Sequence, residues 1–315
     1  MSHEIQQMAY VGATPWHTLG NKLSENQPIE VWTQEAGFNF EVKETPVHFF
    51  PVNGNMTKFN GNKVLYRSDS LNALAVVTDR YKVVQPKEVL EFYRSLVEGQ
   101  GFQLETAGCL RGGRKIWALA KTGIESTLKG NDRIKAYLLL CTSYDGSLAT
   151  TAQYTAIRVV CNNTLSLAVN RNNDTAVRVS HVTTFDANAV KQQLGLGSSW
   201  DYFMDQIRAM SETKIRPTTA RKYLVNVLGD PTMPMDQQPR EKLIGNVIDL
   251  FNGKAIGSDL ESAKGTVFGL LNAVTETVDH HARARTADSR LNSAWFGIGA
   301  TVKSRAYQEA LKLTA

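Results

Sequence analysis

A change of hydrophobic period near residue 184 constrains this chain more than any other feature. Before it, short runs of alternating apolar and polar residues are separated by glycine-bearing turns; after about Asp186, apolar residues recur every three to four positions. A period of two puts alternate side chains on opposite faces of a strand, whereas a period near 3.6 lines up one face of a helix. Strands followed by helices point to an α+β fold: an antiparallel sheet with a packed helix in the N-terminal half, and a helical C-terminal half. The expected boundaries are 1–183 for the antiparallel α+β domain and 184–315 for the helical domain. A chain of 315 residues is long enough for two such bodies.

Within the first half, Pro28 and Gly37 bracket a short helix, and residues 41–50, 63–67 and 74–78 read as strands. Residues 86–98 carry Val89, Leu90, Phe92, Tyr93, Leu96 and Val97 on one helical face, with Gly99 just beyond. Runs 102–107 and 114–120 flank Leu110-Arg111-Gly112-Gly113, a hairpin signal. Runs 133–142, 150–160 and 177–182 extend the meander. Helices are expected over 186–195, 199–213, 217–228, 236–252, 259–282 and 288–313.

Cys109, Cys141 and Cys161 are three in number and widely spaced, which suits reduced thiols in a cytosol and not a disulfide framework. No run of apolar residues reaches the eighteen or so of a membrane span, and the N-terminus lacks a signal peptide's basic and apolar regions. The net charge of +5 is unevenly spread: residues 58–148 carry fourteen Lys and Arg against nine Asp and Glu, and residues 280–315 carry six against two. A local cationic excess suits a polyanion partner, although a solvated surface produces the same pattern.

The basic hairpin concentrates that excess. Arg111, Arg114 and Lys115 flank Gly112-Gly113, where the backbone can approach phosphate closely, and Lys135 opens a neighbouring strand. Trp117 and Tyr144 lie on adjacent runs, and aromatics interleaved with cations hold single strands by stacking plus backbone attraction; the same rings would serve equally as core. Arg158 sits inside an apolar run that stops at Asn162-Asn163. It faces a ligand, or is buried against a carboxylate such as Asp145, with the asparagines meeting a base edge or capping a helix from Thr164. Arg283 and Arg285, after His280-His281, form a second basic cluster. Cys161 as a nucleophile needs a base such as His181 or His280 beside it, and a buried free thiol is the commoner fate. Metal-ligand spacings, phosphate loops and hydrolase elbows are absent, so no cofactor and no metal are expected.

Four segments resemble the phage/plasmid-like proteins that contain domain of unknown function 932: Thr14-Pro15-Trp16-His17-Thr18-Leu19-Gly20, Thr142-Ser143-Tyr144-Asp145-Gly146-Ser147, Arg158-Val159-Val160-Cys161-Asn162-Asn163-Thr164-Leu165, and residues 265–280 from Gly265 to His280. Tyr144 replaces a histidine of that pattern and Phe268 a tryptophan. The resemblance implies bacterial mobile elements, the bacterial cytosol and nearby DNA metabolism, and by analogy an annealing-type architecture. The expected function is a non-enzymatic, homo-oligomeric protein that binds single-stranded nucleic acid, DNA foremost, in recombination or replication. Two other readings are a protein-interaction factor that counters a host defence system, and an enzyme acting on nucleic acid.

Overall fold

The Gly112-Gly113 hairpin is the pivot of the larger sheet in the computed structural model, which describes residues 5–12, 20–52, 54–161, 163–166, 176–194 and 196–314. Residues 14–19 of the first resemblance segment lie outside the described residues. Strand β1 (Ile5–Val11) is followed by β2 (Asn21–Leu23), helix α1 (Ile29–Glu35), β3 (Val42–Phe49), β4 (Thr57–Arg67), β5 (Ala73–Thr78) and helix α2 (Pro86–Gln100). Next come β6 (Gln103–Leu110), β7 (Lys115–Leu128), β8 (Asp132–Ser143), β9 (Thr150–Arg158), β10 (Asn163–Ser166) and β11 (Ala176–Val179). Helices α3 (Ala187–Gln193), α4 (Leu196–Glu212), α5 (Pro217–Leu228), α6 (Glu241–Asp249), α7 (Val267–Glu276), α8 (Ala287–Phe296) and α9 (Ile298–Leu311) complete the chain. The fold is α+β, with strands ahead of helices as the change of period requires.

The larger sheet runs β10-β9-β8-β7-β6-β1-β2, and β11 also pairs with β9. Strands β3, β4 and β5 form a separate antiparallel sheet. In the β6–β7 hairpin Gly108 stands opposite Trp117, and a Cβ on Gly108 would lie 2.7 Å from the indole ring. Glycine there makes room for the largest side chain of its partner strand, so Trp117 is fully buried.

Two compact units emerge. One comprises Met1–Gly123, Leu138–Gln153 and Ala176–Leu194; the other comprises Ile124–Tyr137, Tyr154–Thr175 and Gly195–Ala315. Strands β7, β8 and β9 contribute residues to both.

In the first unit, α2 starts with Pro86 in its first turn and a reciprocal Gln85–Glu88 cap, and ends at Gly101 with φ +72°. It therefore runs past Gly99, the expected stop. Its buried face carries Val89, Leu90, Phe92, Tyr93 and Leu96, and the Tyr93 hydroxyl lies 2.8 Å from Ala118 O and 3.0 Å from Leu138 O.

In the second unit, α7 is buried on every side. Thr266 caps it by accepting the Gly269 N–H at 3.0 Å. The helix expected over 259–282 starts only at Val267, because residues up to Gly265 form turns, and ends in a wider π-type turn over Thr277–His281. Gly297 divides the expected helix 288–313 into α8 and α9.

Two glycines give opposite predictions. A Cβ on Gly269 would sit 1.9 Å from the Ala263 carbonyl oxygen, so Gly269→Ala forces helix and turn apart, at a cost of about 1–3 kcal/mol or more. Gly245 on α6 has nothing within 4 Å of that position, so Gly245→Ala gains up to about 1 kcal/mol of helix propensity. Urea unfolding of both variants should show midpoints moving in opposite directions.

Candidate nucleic-acid interface

The turn between β6 and β7 holds three consecutive left-handed residues, with φ of +53° at Arg111, +69° at Gly112 and +91° at Gly113. Gly113 is fixed by crowding as well as by φ: a Cβ there would meet Arg67 Nη1 at 2.7 Å and the Phe40 ring at 3.2 Å. Arg67 pairs with Asp69 at 2.6 Å, lies 3.8 Å over the Phe40 ring and reaches Gly112 O at 3.4 Å. The turn is thus seated on the foot of the β3–β4 pair. Arg111 and Arg114 are exposed and make no ion pair among the described residues. Residues 106–124 contain Arg111, Arg114, Lys115 and Lys121 but no Asp or Glu.

Other expected contacts fall inside the protein. Lys115 is buried beside Asp145, whose carboxyl is raised by burial but brought below the usual range by Ser147 hydrogen bonds and the Lys115 charge. Trp117 and Tyr144 have no exposed surface. The Tyr144 hydroxyl donates to Val84 O at 3.0 Å, and its N–H donates to Arg114 O at 2.8 Å. Neither ring presents a face on which a base could stack, which corrects the expectation for both; the meander's aromatics are core. The Tyr144-Asp145-Gly146-Ser147 segment is a turn, closed by Ser147 N–H donating to Asp145 Oδ1 at 3.0 Å with Gly146 at φ +71°.

Arg158 is the largest correction. Its partner is neither a ligand nor Asp145 but Asp132: Arg158 Nη2 lies 2.7 Å from Asp132 Oδ2, and Nε donates at 2.9–3.0 Å to both carboxylate oxygens. Nη2 also donates to Gly257 O at 2.9 Å, and Ser262 Oγ donates to Asp132 Oδ2 at 2.6 Å. Asn163 begins a strand, β10, and caps no helix. Asn272, Thr275, Glu276, Asp279 and His280 form a polar stripe, at i, i+3, i+4, i+7 and i+8, running from α7 into the π-type turn. Thr164 N–H donates to Asp279 Oδ2 at 2.9 Å, and Lys303 Nζ donates to Asp279 Oδ1 at 2.7 Å and to Thr164 Oγ1 at 2.6 Å. Two resemblance segments far apart in sequence are therefore joined through one buried network.

Cys161 belongs to that network as an inert thiol. His280 Nε2 sits 3.1 Å from the Cys161 carbonyl oxygen and 3.2 Å from Asn163 Oδ1, two acceptors that make it the donor. Burial pushes the Cys161 thiol up to about 11 and the Cys109 and Cys141 thiols to about 12. Among the remaining candidates, Lys135 is half-buried on β8, Arg283 and Arg285 are exposed in the second unit between the π-type turn and α8, and Asn162 lies outside the described residues. Among the described residues no cluster of His, Cys, Asp and Glu is disposed to hold a metal ion, and no helix is long and apolar enough to cross a membrane.

Exposed aromatics do occur beside cations, at a place the periodicity did not single out. Phe49, Phe50 and Phe59 are exposed around the β3–β4 tip with His48 and Lys58. The available signal was apolar residues crowding both sides of Asn53-Gly54, where a hairpin tip is ordinarily polar.

Residues 73–295 match the family described as Domain of unknown function (DUF932). The chain belongs to this family. The DUF932 span contains the Arg111–Arg114 turn, the Arg158–Asp132 pair and α7, whereas β3 and β4 precede it. No curated protein and no solved structure matches the chain.

Two measurements separate internal from surface roles. Arg158→Met leaves a carboxylate with no exposed surface unpaired, so urea unfolding should show a loss of about 3–5 kcal/mol; an unchanged midpoint would restore Arg158 to the surface. Iodoacetamide at pH 8 should label none of the three cysteines in the native protein and all three after denaturation, since burial disfavours each thiolate.

Proposed function

We propose that this chain is a non-enzymatic protein that binds single-stranded nucleic acid, DNA foremost, working as an assembly of several copies in the recombination or replication of a phage or plasmid. The observation that carries this reading is the Arg111–Arg114 turn. Two exposed guanidinium groups stand on a glycine turn, inside a stretch free of acidic residues and without an ion pair among the described residues. Guanidinium groups so placed suit phosphate, which they meet by charge-assisted, bidentate hydrogen bonds. Family membership adds no activity, and the mobile-element setting follows from the resemblance alone.

The attraction at this turn is electrostatic, so it carries no base preference and weakens with salt. Fluorescence anisotropy of a labelled oligothymidylate at rising sodium chloride tests this directly. Affinity should fall linearly on logarithmic axes. In the Arg111→Ala/Arg114→Ala variant the slope should be shallower by about 1.4, because two phosphates of the single strand are no longer neutralised. Stability should stay within about 0.5 kcal/mol of wild type, because both side chains are exposed. Absence of binding at low salt would remove the reading.

A further inference from the structure

Strand β5 accompanies β4 only from Tyr66↔Ala73 to Asn62↔Thr78. Beyond that point β3 and β4 continue as a bare two-stranded ribbon, paired Val47↔Phe59, His48↔Lys58 and Phe49↔Thr57 after a register shift at Pro46. The shift leaves Asn60, Gly61 (at φ +87°) and Asn62 without a partner on β3 and re-aims the tip. Residues directly opposite share a face and neighbours alternate, so Val47, Phe49 and Phe59 occupy one face of the tip and His48 and Lys58 the other.

Among the described residues the tip is left at most about half covered: Phe49 is 46% exposed and Phe59 50%, and beyond the last pair Phe50 is 73% and Met56 62% exposed. Three phenylalanines and a methionine in water at one hairpin tip mark a surface that meets something. Its chemistry narrows what that is. Residues 45–62 contain no Asp or Glu, and Lys58 and His48 lie back to back with the rings. A second copy of the tip would bring the same Lys58 charge and no carboxylate to answer it. A lipid surface would have to take in the polar Asn60 that follows Phe59 in the sequence, which hydrocarbon penalises. Unpaired bases satisfy both the rings and the charge: they stack on the rings and bring phosphate to the basic side of the ribbon.

The location agrees. The foot of the same ribbon, at Arg67, seats the Arg111–Arg114 turn. The eight steps of β4 from Phe59 to Arg67 span at most about 26 Å at the rise of a strand. Phosphate-binding turn and stacking tip therefore lie at opposite ends of one ribbon, within reach of a single extended polynucleotide.

We propose that the β3–β4 tip is the element that selects unpaired bases: Phe49 and Phe59 stack on them while Lys58 and His48 meet the adjoining phosphates. This rests on the polynucleotide-binding reading above and adds what that reading lacks, a reason to prefer single strands over duplex, whose bases are already stacked. The test is anisotropy on an oligonucleotide, single-stranded and annealed to its complement, with the wild type and with Phe49→Ala/Phe59→Ala. Both rings are about half exposed and lie outside the core, so the variant is expected to fold. The variant should lose about thirtyfold or more in single-strand affinity, from stacking of about 1–3 kcal/mol per base at two rings, with an unchanged salt slope and a reduced preference over duplex. If the wild type binds neither form, the polynucleotide reading falls and takes this inference with it. If the wild type binds and the variant matches it in affinity and preference, the tip is not the stacking element and this inference alone falls. Co-sedimentation with phosphatidylserine vesicles that is lost in the variant, with oligonucleotide binding intact, would overturn it in favour of a lipid-seeking tip.

Discussion

Asp132 carries a charge with no surface left to water, and Arg158 is the cation that answers it. Stripping two such ions of water costs several kcal/mol each, and attraction at 2.7 Å offsets that only when the remaining lone pairs and protons are occupied. Here they are: Ser262 supplies a hydroxyl to the acid, and the Gly257 carbonyl takes a guanidinium proton. Chain positions spread over more than a hundred residues must therefore come together for either charge to be tolerated. The Asp279–Lys303–Thr164 cluster repeats the arrangement within the same unit. Such pairs add little net stability, yet losing either partner is costly, so they tie β8 and β9 to the turns at Gly257 and Ser262, and β10 to Lys303 of α9.

That economy explains which parts of the chain could be read from its letters. Alternation and glycine turns locate the β6–β7 hairpin because the cause is local: a pleat of period two and a backbone that must turn. Helix α2 is legible for the same reason, through its apolar stripe and the glycine near its end. Strand β1 escapes because Gln6-Gln7 interrupts its alternation; it exists through pairing with β6, about a hundred residues away. The sheet's aromatic and cationic residues were legible as residues but not as a surface. Whether Trp117 stacks a base or fills the space over Gly108 depends on a cross-strand register that no short window contains.

The partner of Arg158 is hidden for a related reason. Asp145 stands nearer in the sequence, but it is committed to its own turn through Ser147. Asp132 opens β8, the strand beside β9, and reaches the guanidinium sideways across the sheet. Charge in this protein is accordingly divided. Arg158 and Lys303 are consumed by the interior, and Arg111 with Arg114 remains available to a ligand. A residue count treats them alike, and only burial separates them.

The ribbon built by β3 and β4 ends before the portion matched by the family begins, at residue 73. Its tip also makes no contribution to either buried charge cluster, so the two halves of that appendage answer to different demands. The foot must keep Phe40 and Arg67 in place for the adjoining turn, whereas the far end stands exposed at Phe49, Phe50 and Met56. A change confined to the exposed Phe50 and Met56 would therefore alter the far end of the ribbon without touching the Arg67–Phe40 contact at its foot.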